Sequence, residues 1–287
     1  MKISALTIVR GRQKHLENQW RGWLRSDIKP HRWIIVGMNQ EVVVPGHDPS
    51  VEILTDQVIA RGESLPLASA RNVAANLCET DAMVFLDVDC IPSPSMLTHF
   101  AQAIHNENRL WMGSPRYLPR GATDGDWTFE GLDQSGIRHP IQPSLTRGEL
   151  RSSDEYEKFW SLCFGVSKET YQRIGGFDES FAGYGAEDTD FAFATRQADV
   201  PFGFVGAVAY HQHHAVCKPP LNHFDAIVRN AVQFRRRWNA WPMQGWLDAF
   251  ANLGMIRYVP DSDELQVLTH PTKQQVEQAT VMTPAGF

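Results

Sequence analysis

The stretch MVFLDVDCIP, Met83–Pro92, joins an apolar run to two closely spaced carboxylates. Met83–Leu86 is apolar enough to form a buried strand, and Asp87 and Asp89 follow it directly. A buried carboxylate without a partner costs several kcal/mol or becomes protonated. The stretch therefore predicts a positive partner near the end of this strand, either an arginine or lysine side chain or a metal ion.

The chain on both sides of this stretch alternates apolar runs with helical patterns. This alternation predicts an α/β protein with a mostly parallel sheet flanked by helices, and such sheets bind ligands beyond the carboxyl ends of their strands. Asp87 and Asp89 lie at one such end. The expected strands are Ile3–Val9, Trp33–Val36, Val51–Leu54, Met83–Leu86, Trp160–Val166 and Phe202–Tyr210, and the expected helices include Leu16, Pro66, Met96, Lys168 and Phe224.

Length and composition limit the classes of protein to consider. A chain of 287 residues suits one large domain with an extension, which we place at residues 1–217 and 218–287, the latter helical and packed on the core. The net charge of −6 argues against nucleic-acid binding. Four dispersed cysteines indicate reduced thiols. No run approaches the roughly 18 apolar residues of a membrane span and no signal peptide is visible, so we expect a cytoplasmic protein.

Two further segments allow more than one interpretation. Pro115–Leu150 is rich in Gly, Pro, Asp and Arg, which favours a substrate-covering loop over a disordered one. Arg235–Arg237 follows a helical pattern. This cluster is interpreted either as a solvated helix face or as a peripheral contact with a membrane surface or an anionic acceptor.

The first group of residues that indicates chemistry is Asp87-Val88-Asp89. If the strand continues through this group, both carboxylates point to the same side and reach one ion. Two carboxylates and water suit a hard divalent cation such as Mg²⁺ or Mn²⁺. The alternative is a solvated turn at the end of a strand.

The second group is Glu187-Asp188, within GYGAEDTD. Acids in the first turn of a helix are favoured by the helix dipole, which is the structural explanation for them. Gly183 and Gly185 on either side of Tyr184 add a reason to expect function, because they bring backbone and an aromatic ring close to a ligand.

The third group is His211–His214, within YHQHH (210–214), at the end of a late strand. These histidines are either exposed or supply a neutral imidazole to the metal site. Arg10 and Arg12 follow the first strand, where they either keep the surface soluble or hold a diphosphate by bidentate hydrogen bonds.

Four blocks of the sequence resemble the metal-dependent glycosyltransferases of the GT-A fold, especially the β-1,4-galactosyltransferase type. The family 2 glycosyltransferases share this fold and match equally well. The AYHQ block is similar to a metal-binding histidine segment of bacterial chondroitin-type polymerases. The four blocks are TIVRGRQKHL (7–16), FLDVDCIP (85–92), GVSKETYQRIGGFDESFAGYGAEDTDF (165–191) and AYHQ (209–212).

The resemblance implies a role for each matching residue. Asp89 would ligate the metal, with Asp87 near the donor ribose or the metal, and His211 would supply the imidazole, with His213 as its substitute. Asp188 would be the catalytic base. The other implied roles are donor binding by Arg10, Arg12 and Arg71 and acceptor binding by Glu187, Tyr184 and Trp160, Tyr184 standing where the galactosyltransferases have Trp.

The resemblance thus implies an inverting transfer of a hexose from a nucleotide sugar, UDP by family likeness, to a hydroxyl acceptor, with Mn²⁺ or Mg²⁺ as cofactor. Two alternatives stay open. A catalytically silent nucleotide-sugar or carbohydrate-binding domain would share the fold, although here all four acids are present. A phosphatase of the HAD class also begins with Asp-x-Asp, but Gly-Thr usually follows there, whereas Cys90–Pro92 follows here.

Overall fold

A mixed sheet of ten strands forms the centre of the molecule. The computed structural model describes residues 1–60, 62 and 64–281. The sheet contains β1 (Ile3–Val9), β2 (Arg32–Met38), β3 (Glu52–Val58), β4 (Ala82–Leu86), β5 (Cys90–Pro92), β6 (Leu110–Tyr117), β7 (Ile137–Arg138), β8 (Leu150–Ser153), β9 (Cys163–Ser167) and β10 (Phe202–His211).

The strand order is β3-β2-β1-β4-β9-β6-β10-β5, with β7 beside β6 and β8 beside β10. The pairs β1–β2, β2–β3, β1–β4 and β6–β10 are parallel, and β9 runs antiparallel between β4 and β6. Strands β1, β4 and β10 consequently point the same way. Their carboxyl ends, which carry the arginines, aspartates and histidines identified above, meet at one edge of the sheet.

Helices cover both faces of the sheet because alternate strand residues point to opposite sides. On β4, Met83 and Phe85 enter one core and Val84 and Leu86 the other. Burying one such side chain contributes roughly 1.5–3 kcal/mol. The helices of this part of the chain are α1 (Gln13–Leu24), α2 (Leu67–Asn76), α3 (Met96–Asn106), α4 (Phe129–Ser135), α5 (Lys168–Ile174) and α6 (Glu187–Gln197).

The short strand β5 brings two distant parts of the sequence together. It pairs antiparallel with the end of β10, so that Cys90 lies opposite His211. Helix α1 packs directly over β5, and this close approach is possible because Gly22 has no side chain. A Cβ at this position would lie 2.7 Å from the Pro92 ring. The aspartates before Cys90 and the histidines after β10 thus become neighbours.

The C-terminal segment forms its own small core around α7 and α8. It is mainly helical, as expected, and also holds a hairpin and a two-stranded pair that joins its last strand to a short strand just after the large sheet. Its elements are α7 (Phe224–Trp238), α8 (Gln244–Asn252), β12 (Ile256–Tyr258), β13 (Leu265–Val267), α9 (Lys273–Ala279) and β14 (Thr280–Val281), and β11 is Val216–Cys217.

Three local expectations are wrong. Pro115–Tyr117 belongs to β6 rather than to a loop, and the rest of that segment includes α4 and β7. The strand expected from Trp160 begins only at Cys163. Arg235–Arg237 lies inside the last turn of α7 rather than after it. In the part of the chain that the structure describes, no helix is long and apolar enough to cross a membrane.

Candidate active site

The Asp87–Asp89 segment is a turn, because β4 ends at Leu86 and β5 begins at Cys90. The expectation that the strand continues and points both carboxylates to one side is therefore wrong. The turn is closed by a hydrogen bond of 2.9 Å from Cys90 N to the Asp87 carbonyl. The two carboxylates consequently face different partners.

Gln19 fixes the backbone of this turn through hydrogen bonds. Its side chain is fully buried, and its Nε2 donates to the carbonyls of Asp87 and Cys90 at 2.8 Å each. Its Oε1 accepts a hydrogen bond of 2.8 Å from the Thr7 hydroxyl, which itself accepts from Trp33 Nε1 at 3.0 Å. One side chain of α1 therefore connects β1 to both ends of the aspartate turn.

Asp89 lies among basic side chains. It pairs with Arg12 and accepts a 2.5 Å contact from His15 Nδ1, and His214 Nε2 lies 3.8 Å from its carboxylate. Burial raises the pKa of Asp89, but the hydrogen bond with His15 and the charge of Arg12 lower it more, so that the pKa lies well below its usual range. Asp89 is therefore ionised at neutral pH.

Asp89, His211 and His214 form a candidate metal centre. Each offers one ligand atom, and these atoms lie within 4.8 Å of one another. Burial lowers the pKa of His211 to about 4, so its ring is neutral at pH 7. Its buried Nδ1 has no hydrogen-bond partner among the described residues. An anionic oxygen and neutral imidazoles suit a divalent transition ion.

Asp87 and His213 lie outside this group of ligand atoms. Asp87 instead faces Arg71, with 3.5 Å between its Oδ1 and Arg71 Nη2. His213 is half-buried in the same loop as His214. The geometry thus adds His214, whereas ligation by Asp87 or His213 stays a prediction.

Gln212 fixes the histidine loop against the aspartate turn. Its backbone N donates to the Asp89 carbonyl at 2.6 Å, and its buried side chain donates to the His15 carbonyl at 3.1 Å. Asn18 Nδ2 donates to Gln212 Oε1 at 2.8 Å. These hydrogen bonds hold the loop that carries His211 and His214 against the aspartate turn.

Arg71 joins the aspartate turn to the start of α6. It is 3% exposed and lies 3.5 Å from Asp87 and 3.3 Å from Glu187. A buried guanidinium between two carboxylates is compensated on both sides, and removal of one partner would leave an unpaired charge. Asp87 and Glu187 are therefore held in one cluster, although a hundred positions separate them.

Glu187 and Asp188 begin α6 and point to different environments. Glu187 Oε2 accepts a hydrogen bond of 3.1 Å from Gly185 N, and Asp188 Oδ1 accepts one of 2.7 Å from Thr189 N. Burial raises the pKa of both carboxyls, Asp188 adds to the effect on Glu187, and the Arg71 charge opposes it. An acid with a raised pKa is suited to accepting a proton.

The remaining predicted residues lie around this cluster. Arg10 is exposed beyond β1, and Tyr184 is 37% exposed just before α6. Trp160 is half-buried, and its ring meets that of His139 edge-on at 4.9 Å. The His139 ring neighbours Tyr117, which in turn packs against His211 at 4.8 Å. A row of rings therefore leads from Trp160 to the candidate metal centre.

His15, Gln19 and Asn18 contribute to the site although no motif marks them in the sequence. A signal was present in the pattern of α1. Leu16, Trp20 and Trp23 define its buried face, and Gln19 lies three positions from Leu16 and four from Trp23. A glutamine on such a face requires buried partners, since an unsatisfied amide is costly.

Comparisons with known proteins agree with this geometry. Residues 47–151 match the family model described as glycosyl transferase family 2, and residues 142–214 match that described as the N-terminal domain of galactosyltransferase. The second match ends at the histidine loop and includes the Glu187-Asp188 segment.

Curated relatives match about half of the chain. Chondroitin synthase of Escherichia coli is 23% identical over 172 residues, which are 51% of this chain and 25% of that protein. Hyaluronan synthase of Pasteurella multocida is 23% identical over 168 residues, 50% of this chain and 17% of that protein. The chain thus spans a quarter or less of these relatives.

Solved structures share the fold. S. aureus TarS 1-349 superposes with a TM-score of 0.54 at 14% identity, over 82% of this chain and 66% of TarS 1-349. GalNAc-T7 with UDP, GalNAc and Mn²⁺ gives a TM-score of 0.51 at 11% identity, over 74% of this chain and 43% of that one. These structures show that the chain has the GT-A fold, and the partial family-model matches make it similar to the glycosyltransferases of family 2.

Proposed function

We propose that the protein transfers a hexose from a UDP-sugar to a hydroxyl acceptor, with a divalent metal ion as cofactor and with inversion at the anomeric carbon. The observation that carries the proposal is the convergence of two clusters at one sheet edge. Asp89, His211 and His214 offer ligand atoms within 4.8 Å of one another. Arg71 links the neighbouring Asp87 to Glu187, beside Asp188.

The donor atoms present fit Mn²⁺ better than Mg²⁺. Mg²⁺ takes mainly oxygen ligands, whereas imidazole nitrogens bind the transition ions. His211 is neutral, and among the residues that the structure describes its Nδ1 has no hydrogen-bond partner, while Asp89 is ionised. When bound, the ion would offset the negative charge that develops on the leaving diphosphate.

Arg12 is the proposed partner of the donor diphosphate. It now compensates the charge of Asp89. A diphosphate is a stronger bidentate partner for a guanidinium, so donor binding would draw Arg12 towards the phosphates and free the carboxylate for the ion. Arg10, beyond the same strand, adds a second cation on this side, and Arg71 lies behind Asp87.

Asp188 is the proposed base. Its carboxylate would accept the proton of the acceptor hydroxyl while that oxygen forms a bond to the anomeric carbon. The bond from this carbon to the diphosphate oxygen breaks, and its electron pair stays on the leaving group. A single displacement from the opposite face inverts the configuration. Glu187 and Tyr184 would bind the acceptor, and Trp160 lies at the outer end of the ring row.

The relatives support the choice of donor. TarS 1-349 has been crystallised with UDP and with UDP-GlcNAc, and GalNAc-T7 with UDP and Mn²⁺. The curated relatives are synthases of chondroitin and hyaluronan, which agrees with a carbohydrate acceptor.

The substitution Asp188→Asn tests the proposal. We expect transfer from a panel of UDP-hexoses to methyl glycosides, followed by UDP release, to fall by roughly 10²–10⁴-fold because proton removal is lost. Calorimetric affinity for UDP with Mn²⁺ should be unchanged. Asp199→Asn, at an exposed position just beyond the far end of the same helix, is the matched control. Wild-type turnover by the Asp188 variant would show that the base is assigned incorrectly.

A further inference from the structure

Three aromatic rings from separate elements stack beside the candidate base. The Tyr184 ring lies 4.5 Å from that of His223, with 26° between the ring planes. It lies 5.9 Å from the Trp246 ring, at 25°. Tyr184 precedes α6, His223 caps α7, and Trp246 belongs to α8. We call these three residues the aromatic stack.

The C-terminal segment also shapes the loop that carries Tyr184. Asn230 Nδ2 donates to the Gly185 carbonyl at 2.8 Å, and Arg229 Nη2 donates to the Ala182 carbonyl at 2.7 Å. Gly183 has a φ of +85°, and a Cβ there would meet Ala226 at 2.7 Å. The loop therefore lies directly against α7, in a backbone conformation that favours glycine.

The aromatic stack borders the proposed base. Tyr184 stands four positions before Asp188, just ahead of the helix whose first turn contains Asp188. Burial is the largest cause of the raised pKa of the Tyr184 hydroxyl. The nearby carboxylates of Glu187, Asp188 and Asp87 raise this pKa further. A ligand held by the stack would therefore lie next to the group that would deprotonate it.

The stack differs from the rings that build the core. Trp23, Trp33 and Trp111 are at most 1% exposed, whereas Tyr184 is 37% exposed and Trp246 is only partly buried. Burial lowers the pKa of His223, so its ring is uncharged at neutral pH. Partly exposed, uncharged and nearly parallel rings offer an apolar surface of the kind that pockets use for apolar ligand faces.

We propose that Trp246 and His223 of the C-terminal segment form, with Tyr184, an acceptor subsite that binds the apolar face of a pyranose ring. The inference rests on the proposed function, since it identifies the acceptor as a sugar. Family likeness points only to the ring at position 184, whereas the other two rings come from the segment after the sheet. The subsite makes this segment part of the active site.

Saturation-transfer NMR with methyl β-glycosides of glucose, galactose and N-acetylglucosamine tests the subsite on the full chain with UDP and Mn²⁺. We expect Trp246→Ala to weaken glycoside binding roughly tenfold, because it removes one of the rings against which the apolar sugar face would pack. Trp246→Phe should restore most of the affinity. Leu253→Ala, which removes an exposed apolar side chain at the end of the same helix, is the matched control.

Two results would overturn the inference. One is wild-type glycoside affinity in both Trp246→Ala and His223→Ala. The other is the absence of signal from every glycoside with the wild-type chain. Calorimetric UDP binding, measured in parallel, separates the subsite from the proposed function. Intact Mn²⁺-dependent UDP binding alongside either result would reject the subsite alone, whereas loss of UDP binding in the wild-type chain would reject the function itself.

Discussion

At the scale of single residues, the aspartate turn depends on Gln19 for its shape. This side chain satisfies three groups in the buried interior, the Thr7 hydroxyl and the carbonyls of Asp87 and Cys90. Each buried polar group left without a partner costs about 1–3 kcal/mol. The position of Asp89 therefore depends on a residue that makes no contact with any proposed ligand.

The substitution Gln19→Leu keeps a side chain of similar volume but removes these hydrogen bonds. We expect the free energy of unfolding to fall by roughly 3 kcal/mol, measured by urea denaturation. UDP affinity in the presence of Mn²⁺ should weaken as well, because the turn that carries Asp89 loosens.

Gln13→Leu is the control on the same helix. Gln13 donates one hydrogen bond, to the Val43 carbonyl at an exposed site. Its loss should change the free energy of unfolding by less than about 0.5 kcal/mol. Equal effects of the two substitutions would contradict the special role of Gln19.

Residue-level prediction from the sequence succeeded where a motif marks a strand end. Asp89 and His211 were expected to meet, and the β5–β10 pairing brings them together. The alternation rule failed for Asp87 because the strand stops one residue earlier, which turns this carboxylate towards Arg71. The histidine group left open which ring besides His211 would reach the metal site, and the fold of the loop after β10 selects His214 as a candidate ligand.

At the scale of elements, α6 and α7 are joined through a buried carboxylate. Asp190 is 1% exposed, and its oxygens accept hydrogen bonds from Trp238 Nε1 at 2.7 Å and Arg237 at 3.0 Å. Burial raises the pKa of Asp190 to about 6, although both partners lower it. The helix pair that carries the proposed base therefore contains a titratable contact.

The direction in which this contact changes the stability with pH can be tested. The folded pKa of Asp190 exceeds its unfolded value, so the stability it contributes is fully present below about pH 4 and is lost as pH rises through about 6. The stability of Asp190→Asn relative to wild type should therefore increase by about 1–3 kcal/mol between pH 4 and pH 7. Urea denaturation across this range measures it, and a constant difference would contradict the assignment.

Element prediction was reliable where the local pattern and the packing agree. Ser167 was expected to cap the helix that starts at Lys168, and its side chain accepts from Thr170 N. The sequence predicts Arg235–Arg237 after the helix that contains Phe224, Ile227 and Ala231, whereas the structure has them in its last turn. Arg235 pairs with Asp263, and Arg237 pairs with Asp178 and Asp190. These tertiary ion pairs stabilise the last turn of the helix.

At the scale of the whole molecule, the α/β class was predictable because strand–helix alternation leaves few ways to bury both faces of a sheet. The antiparallel strand β9 in the middle of the sheet was not, since pairing direction depends on where the chain returns. The C-terminal segment carried no motif. Its place beside the proposed base follows only from contacts such as Asn230 with Gly185.

Ligand binding to this edge of the sheet should stabilise the entire fold. Free ligand at about 100 times its Kd adds about 2.7 kcal/mol to the free energy of unfolding, which corresponds to a rise in Tm of roughly 5 °C. We expect UDP with Mn²⁺ to produce such a rise in a thermal-shift measurement, and each alone to produce less, because the diphosphate and the ion neutralise one another at Asp89 and Arg12.

The variants Asp89→Ala and Asp126→Ala separate this site from general effects of charge. Asp89 is mostly buried within the candidate metal centre, whereas Asp126 is a fully exposed carboxylate paired with Arg21. The joint effect of UDP and Mn²⁺ on Tm should disappear in the first variant and persist in the second. If chelation of the metal left the UDP-induced rise unchanged in the wild-type chain, the ion would have no part in donor binding, and the arginines alone would have to hold the diphosphate.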